Sequence, residues 1–156
     1  MRISEIDSSS KGTYAKIVPD SATAKNITNI IKESGLGKPV TEDDLHVTVV
    51  FSRKQCDRIK NIKVPLPIVA NGKEFDIFDN PDGSKSLVLV LQCETAVKLH
   101  NICCEKYGAT HDYPEYTPHI TLTYSYTQSE LPISLSATQF KHLIFDQYIV
   151  EELDLE

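Results

Sequence analysis

Two stretches of the chain, Leu45–Ser52 (LHVTVVFS) and Pro118–Ser125 (PHITLTYS), share one pattern and stand 73 residues apart. Each alternates apolar with polar residues and is rich in β-branched side chains, which is typical of a β-strand with one buried face. In the first stretch this alternation places His46 and Thr48 on one face and the first valines on the other. A single His-x-Thr sequence carries little information, but its recurrence at a matched position indicates two related structural units.

The second stretch repeats the same division of faces. Residues two apart in a strand lie on one face, about 6.6 Å apart along the chain. The aliphatic face of each strand is expected to pack on helices, so the polar face points away from the helical layer. The side chains on that polar face are His46, Thr48, His119 and Thr121. Strict alternation also predicts that Val50 joins the polar face, whereas Phe51 and Tyr124 point to the core.

The similarity between the two halves extends beyond these strands. A shift of 73 residues also places Gly35 on Gly108, the two positions where a predicted helix ends. Each half therefore predicts a strand, a helix, a glycine stop, a loop and a His-x-Thr strand. We expect a single domain, residues 1–156, made of two structural repeats over about 12–72 and 85–156. If a pseudo-two-fold axis relates the repeats, the two polar faces meet across a cleft.

Periodicity and turn residues define the remaining elements. Apolar residues recur at helical spacing after Ser21, the expected N-cap, and again from Glu94. Two prolines reduce Asn61–Ala70 to an edge strand or an extended connection. The stretch Lys141–Leu153 predicts one or two strands, with a hairpin around Asp146–Gln147. The other predicted elements are strands at Thr13–Val18, Lys73–Phe78 and Leu87–Leu91, and helices that run to Gly35 and to Tyr107.

The composition limits the function classes. The 156 residues carry a formal net charge of −6, so the chain lacks the basic surface that a long nucleic acid requires. No apolar run approaches the roughly 20 residues of a membrane-spanning helix. The start, MRISEIDSSSKG, has no apolar region of a secretory signal. We therefore expect a cytoplasmic protein whose four cysteines are reduced thiols and whose partners include neither a membrane nor a long nucleic acid; the sequence indicates no protein partner.

The four polar side chains suit general acid–base catalysis. An imidazole has an unperturbed pKa of about 6.5, so one histidine can be neutral and the other protonated near neutral pH. The neutral one accepts a proton from an attacking hydroxyl, and the protonated one gives a proton to a leaving oxygen. Each threonine hydroxyl can donate to a non-bridging oxygen of the reacting centre. Phosphoryl transfer without a metal or another cofactor fits this set.

The two motifs, His46-Val-Thr48-Val and His119-Ile-Thr121-Leu, resemble the paired signatures of the 2H phosphoesterase superfamily, which has the LigT-like fold. The resemblance covers both halves of the chain. It implies a bilobal, pseudo-two-fold α+β fold with two antiparallel sheets lining a cleft and helices outside. It also implies metal-independent catalysis, with His46 and His119 as general acid and base and with Thr48 and Thr121 beside them.

The segments GTYAKIV at Gly12–Val18 and VEELD at Val150–Asp154 resemble the phage anti-CBASS phosphodiesterases of that superfamily. This resemblance implies cyclic di- and trinucleotide messengers of bacterial immunity as substrates, cleaved at their 3′–5′ linkages in the infected host cell. The 2′-hydroxyl beside the scissile phosphate would attack and form a 2′,3′-cyclic phosphate. Water would then open that ring to a 3′-phosphate.

Two other functions fit the same motifs. One is a LigT-like enzyme that opens 2′,3′-cyclic phosphates on RNA ends, which the acidic composition disfavours. The other is a non-catalytic protein that sequesters cyclic nucleotides. Sequestration has no need of two proton-transfer groups, so the intact histidines favour an enzyme.

Further polar and aromatic residues are candidates for substrate binding. Tyr14 shares a strand face with Lys16, so a base could stack on the ring while the ammonium meets a phosphate. The loop before His119 carries tyrosines and an acid that could contact a purine. Glu151, in the acidic C-terminal strand, could orient a ribose or a histidine. The candidate binding residues are Tyr14, Lys16, Tyr113, Glu115, Tyr116 and Glu151.

One cluster of potential metal ligands is interpreted as structural. His100, Cys103 and Cys104 lie within about one and a half helical turns, but no second ligand pair follows at zinc-finger spacing. We expect core packing and unreactive thiols there, and we expect His142 at the surface.

Overall fold

A computed structural model describes residues 11–113 and 115–155, so most of the N-terminal stretch used to argue against a secretory signal lies outside the described residues. Within them the chain forms helices and antiparallel strands, which confirms the predicted α+β class. None of the described helices is long and apolar enough to cross a membrane. The elements are β1 (Lys11–Pro19), α1 (Ser21–Ser34), β2 (Val47–Ser52), β3 (Ile68–Asp79), β4 (Lys85–Gln92), α2 (Glu94–Glu105), β5 (His119–Thr123) and β6 (Leu143–Asp154).

The elements recur in one order in the two halves of the chain. The first half supplies β1, α1, β2 and β3, and the second half supplies β4, α2, β5 and β6 in the same sequence. The last strand of each half pairs with the first strand of the other half: β6 lies beside β1, and β3 lies beside β4. The expected β-α-β repeat is therefore extended by one exchanged strand per half.

The strands form two three-stranded antiparallel sheets, β6–β1–β2 and β3–β4–β5, that join into one closed ring. Pairing is long inside each sheet and short where the sheets meet. Strands β2 and β5 meet at the pair Val47–Ile120, and β3 meets β6 from Ile68–Phe145 to Ala70–Leu143. The two His-x-Thr motifs thus lie on neighbouring strands, which pair at the residue between the histidine and the threonine of each motif.

The helices bury one face against the sheets, as the amphipathic pattern predicts. Helix α1 is capped by Asp20, whose Oδ1 accepts a 2.8 Å hydrogen bond from the Thr23 amide. The predicted N-cap, Ser21, is wrong by one residue, because Ser21 is already the first helical residue. Gly35 ends α1 at φ 66°, a left-handed conformation that glycine adopts without steric cost.

Strict alternation fails in β2 and β5 at matched positions. The β1–β2 register passes from Ala15–Val50 to Lys16–Thr48, so Val49 is an extra residue, a β-bulge. The bulge reverses the faces that follow it. Val50 is fully buried and Phe51 is 37 % exposed, so both sequence predictions for these residues are wrong.

The same bulge occurs in β5, where the register passes from Leu87–Thr123 to Val88–Thr121 and leaves Leu122 as the extra residue. Tyr124 is consequently 53 % exposed rather than in the core. Phe51 and Tyr124 are equivalent positions in the repeat, and both emerge from the interior for the same reason.

Two further expectations about strands are corrected. The C-terminal segment is one 12-residue strand, β6, and does not turn at Asp146–Gln147. Strand β3 begins at Ile68, after the prolines, and absorbs the short strand predicted at Lys73–Phe78. Continuous pairing of β6 with both β1 and β3 explains its length, since tertiary partners override local turn propensity.

Candidate active site

The two histidines predicted to be catalytic are held in the same way. Nδ1 of His46 lies 2.7 Å from the carbonyl oxygen of Asp44, and Nδ1 of His119 lies 2.9 Å from the carbonyl oxygen of Thr117. A carbonyl oxygen only accepts, so Nδ1 must carry the proton in both rings. Both bonds reach back two residues, so the local turn before each strand fixes the ring.

This hydrogen bond leaves Nε2 as the atom available for chemistry. In the neutral ring Nε2 presents a lone pair, and in the charged ring it presents a proton. The carbonyl also stabilises the imidazolium that forms when Nε2 takes up a proton. Each histidine is therefore oriented to act as a base in one protonation state and as an acid in the other.

Tyr14 contacts the first His/Thr pair. Its hydroxyl oxygen lies 3.0 Å from Oγ1 of Thr48, and its ring meets His46 edge to face with centroids 6.3 Å apart. Burial raises the pKa of Tyr14, and the nearby Glu151 carboxylate acts in the same direction. Tyr14 therefore stays a phenol with a proton to donate.

Lys16 and Glu151 form an ion pair beside Tyr14. Lys16 Nζ lies 3.3 Å from Glu151 Oε1, and it also lies 5.9 Å from the centroid of the Tyr14 ring. Glu151 is directly paired with Tyr14 across β1 and β6. The structure thus brings Tyr14, Lys16 and Glu151 together beside His46 and Thr48. Their binding roles stay predictions.

Two aromatic residues near the site were not predicted from the sequence. Phe51 lies edge to face with Tyr14 at 6.1 Å, and Phe78 lies edge to face with His119 at 5.5 Å. Both rings are partly exposed, at 37 % and 42 %. No local sequence pattern marks the bulge that turns Phe51 outward. The one relevant feature of the sequence is that an aromatic residue, Tyr124, stands at the matched position of the second half.

The loop before β5 divides into different environments. Tyr113 is 72 % exposed and lies against His111, and Glu115 is also exposed. Tyr116 is turned inward: its hydroxyl donates a 2.7 Å hydrogen bond to the Thr48 carbonyl oxygen. One face of its ring stacks on His100, with centroids 4.1 Å apart and planes 6° apart. Tyr116 therefore contacts the site through the backbone of β2.

The described residues contain no group of three or more His, Cys, Asp or Glu placed to hold a metal ion. His100 is 6 % exposed, and its Nδ1 donates to the Val49 carbonyl oxygen at 2.7 Å. Burial raises the pKa of the Cys103 thiol to about 11, so it is protonated. This agrees with the interpretation of the helix α2 cluster as structural, and His142 is exposed as expected.

The chain is similar in sequence to proteins of a known family. A family model described as anti-CBASS protein Acb1 matches residues 11–156. The Acb1 protein of Vibrio phage KVP40 is 35 % identical over 150 residues, covering 94 % of this chain and 91 % of the relative. The Acb1 protein of Acinetobacter phage Ac42 is 33 % identical over 155 residues, covering 99 % and 97 %.

A solved structure shares the fold. Escherichia coli LigT complexed with 3′-AMP superposes with a TM-score of 0.58 at 15 % identity, covering 90 % of this chain and 86 % of LigT. This likeness confirms the LigT-like fold expected from the paired motifs. Because the family match spans all the described residues, the chain belongs to the Acb1 family of anti-CBASS proteins.

Proposed function

We propose that this protein is a metal-independent phosphodiesterase that hydrolyses the 3′–5′ bonds of cyclic di- and trinucleotides in the infected bacterial cell, and so removes the messengers of CBASS defence. The observation that carries the proposal is the matched pair of Nδ1 hydrogen bonds at His46 and His119. Two imidazoles with the same free nitrogen suit a reaction that takes one proton and gives another. Membership of the Acb1 family supports the substrate class.

In the first step, the 2′-hydroxyl beside the scissile phosphate attacks phosphorus. The neutral histidine accepts the hydroxyl proton at Nε2, while the charged histidine gives its Nε2 proton to the departing 5′-oxygen. The bond from phosphorus to the 5′-oxygen breaks, and a 2′,3′-cyclic phosphate forms. The Thr48 and Thr121 hydroxyls donate to the non-bridging oxygens as charge collects on them.

In the second step, water replaces the 2′-hydroxyl and the histidines exchange roles. The histidine that lost its proton now accepts one from water, and the other returns a proton to the 2′-oxygen. The product carries a 3′-phosphate, and both histidines regain their starting states. Hydrogen bonds to backbone carbonyls support both protonation states, so no further ionisable group is required.

The deciding experiment offers the protein cyclic dinucleotides, cyclic trinucleotides and RNA with a 2′,3′-cyclic end, with and without a chelator. Turnover of cyclic oligonucleotides, unaffected by the chelator, is the expected result. Turnover of RNA ends alone would replace the proposal with the RNA-end reaction, and tight binding without turnover would replace it with sequestration. Loss of turnover on chelation, restored by one divalent ion, would contradict the mechanism.

A further inference from the structure

The extra residue in each bulge of β2 and β5 interrupts the regular hydrogen bonding between strands. Because a buried backbone carbonyl needs a hydrogen-bond donor, the carbonyls at the bulges require donors from outside the paired strands. In β5 the carbonyl of the extra residue, Leu122, accepts a 3.0 Å hydrogen bond from the backbone amide of Val40. In β2 the carbonyl of the matched residue, Val49, accepts from the side chain of His100 instead. The two halves therefore solve one structural problem with different donors.

A second side chain binds the same bulge. The Tyr116 hydroxyl donates to the carbonyl oxygen of Thr48, the residue before Val49, at 2.7 Å. The rings of Tyr116 and His100 are stacked in parallel, so the two donors form one packed unit. Consecutive carbonyls of β2 are thus held by adjacent side chains from the second half of the chain.

Packing alone does not explain an imidazole at position 100. The matched position in α1 is Ile27, which is fully buried and apolar. His100 is also buried, at 6 % exposure, and a buried polar ring is tolerated only where it finds a partner. Its Nδ1 donates to the carbonyl of the bulge at 2.7 Å, and its Nε2 lies 3.7 Å from Cys104 Sγ in the same helix. The need for a donor to the Val49 carbonyl explains why the second half has a histidine where the first half has Ile27.

We propose that His100 and Tyr116 are positioning residues, which hold the bulge of β2 so that the Thr48 hydroxyl and the Phe51 ring face the site. This rests on the proposed function, since it takes Thr48 as a transition-state donor. In this proposal Tyr116 holds the backbone of β2 and does not stack on the substrate. A displacement of about 1 Å in such a donor can cost on the order of 10²-fold in rate.

The test compares donor removal with donor retention. Tyr116→Phe keeps the stacked ring and loses the hydroxyl; His100→Leu loses the donor, and His100→Asn keeps an N–H near the position of Nδ1. Tyr148→Phe is the matched control, because the Tyr148 hydroxyl donates to the backbone carbonyl of Ile59 at 2.9 Å. Turnover of a cyclic dinucleotide gives kcat and KM for each variant.

Tyr116→Phe and His100→Leu are expected to lower kcat by about tenfold with KM within about twofold, because the misplaced donor acts in the transition state. His100→Asn should recover most of the loss, and Tyr148→Phe should match wild type. Unchanged kcat in Tyr116→Phe and His100→Leu would overturn the proposal. A raised KM at constant kcat in Tyr116→Phe would assign Tyr116 to substrate binding instead.

Hydrogen–deuterium exchange over Val47–Ser52 supplies a readout that needs no turnover. Exchange should quicken in Tyr116→Phe and His100→Leu but not in Tyr148→Phe. If the wild type turns over no nucleotide and exchange still quickens, the positioning of β2 stands while the proposed function fails. If wild-type turnover is normal and neither exchange nor kcat changes, the proposed function stands and the positioning role fails.

Discussion

The hydroxyl oxygen of Tyr14 lies 3.0 Å from Oγ1 of Thr48, and the Tyr116 hydroxyl donates a 2.7 Å hydrogen bond to the Thr48 backbone carbonyl oxygen. Thr48 is therefore fixed through both its side chain and its peptide group. Because burial raises the pKa of Tyr14, the phenol keeps its proton at neutral pH. With Tyr14 as donor, the proton of the Thr48 hydroxyl is free to point at a phosphate oxygen.

Tyr14→Phe should lower kcat by a few-fold to tenfold, about the 0.5–1.5 kcal/mol of one hydrogen bond, because Thr48 loses its orienting partner. Tyr14→Leu should also raise KM, since it removes the aromatic ring beside His46. Steady-state kinetics on a cyclic dinucleotide separate the two effects. Equal KM and kcat for wild type and both variants would show that Tyr14 contributes to neither.

Alanine at His46 or His119 should lower kcat by on the order of 10²-fold or more, because each removes the transfer of a different proton. Nucleotide affinity should change far less. The double variant should be little worse than either single one, since residues acting as a unit are non-additive. His142→Asn is the control: His142 is exposed, and asparagine tolerates its φ of 54°.

Binding is measured by calorimetry and turnover by product analysis. If alanine at both sites leaves turnover within a few-fold of wild type, the histidines are ordinary strand residues and the phosphodiesterase proposal fails. In the active enzyme, the plot of kcat against pH should be bell-shaped.

The parts of the site that follow from residue alternation were predictable. Residue alternation predicts that His46 and Thr48 share a face, and the offset of 73 residues extends that prediction to His119 and Thr121. The hydrogen bonds from Nδ1 of His46 to Asp44 and from Nδ1 of His119 to Thr117 follow the same repeat, but residue alternation alone does not predict them. Local periodicity and duplication therefore carried the prediction of the fold and of the paired motifs.

The missed features depend on tertiary register. A bulge at Val49 has no sequence marker, because valine fits a strand with or without an extra residue. The prediction from strict alternation that Phe51 and Tyr124 point to the core is therefore wrong. The same limit applies to Tyr116, whose interior position is set by its stacking on His100 in another element.

Replacing Thr48 or Thr121 by valine should cost no more than roughly 2–4 kcal/mol of transition-state stabilisation, the value of one lost donor. Valine keeps the β-branched shape, so β2 and β5 should keep their stability. Serine at either position restores the hydroxyl and should recover most of the rate. The comparison of kcat for the Val and Ser variants decides this, and a loss in Ser with none in Val would mean that the methyl group, not the hydroxyl, matters.

The stability of the protein should fall at acid pH through His100. Burial lowers the pKa of His100, and the neighbouring His111 acts in the same direction, whereas the hydrogen bond to Val49 opposes them. The folded state therefore binds this proton less readily than the unfolded state, whose histidine has a pKa of about 6.5. The free energy of unfolding that this residue contributes is fully present above that value and is lost as the pH falls from there towards the folded pKa.

His100→Asn should flatten this part of the pH dependence, because it keeps a donor for Val49 and removes the titrating ring. His142→Asn serves as the control, since the His142 side chain is exposed. Urea unfolding at a series of pH values from 7.5 to about 5 measures the slope of free energy against pH, with each histidine expected to contribute no more than one bound proton. If the wild type and His100→Asn lose stability in parallel over that range, His100 titrates alike in the folded and unfolded chains, and the buried, neutral ring that binds the β2 bulge is not the state that folding selects.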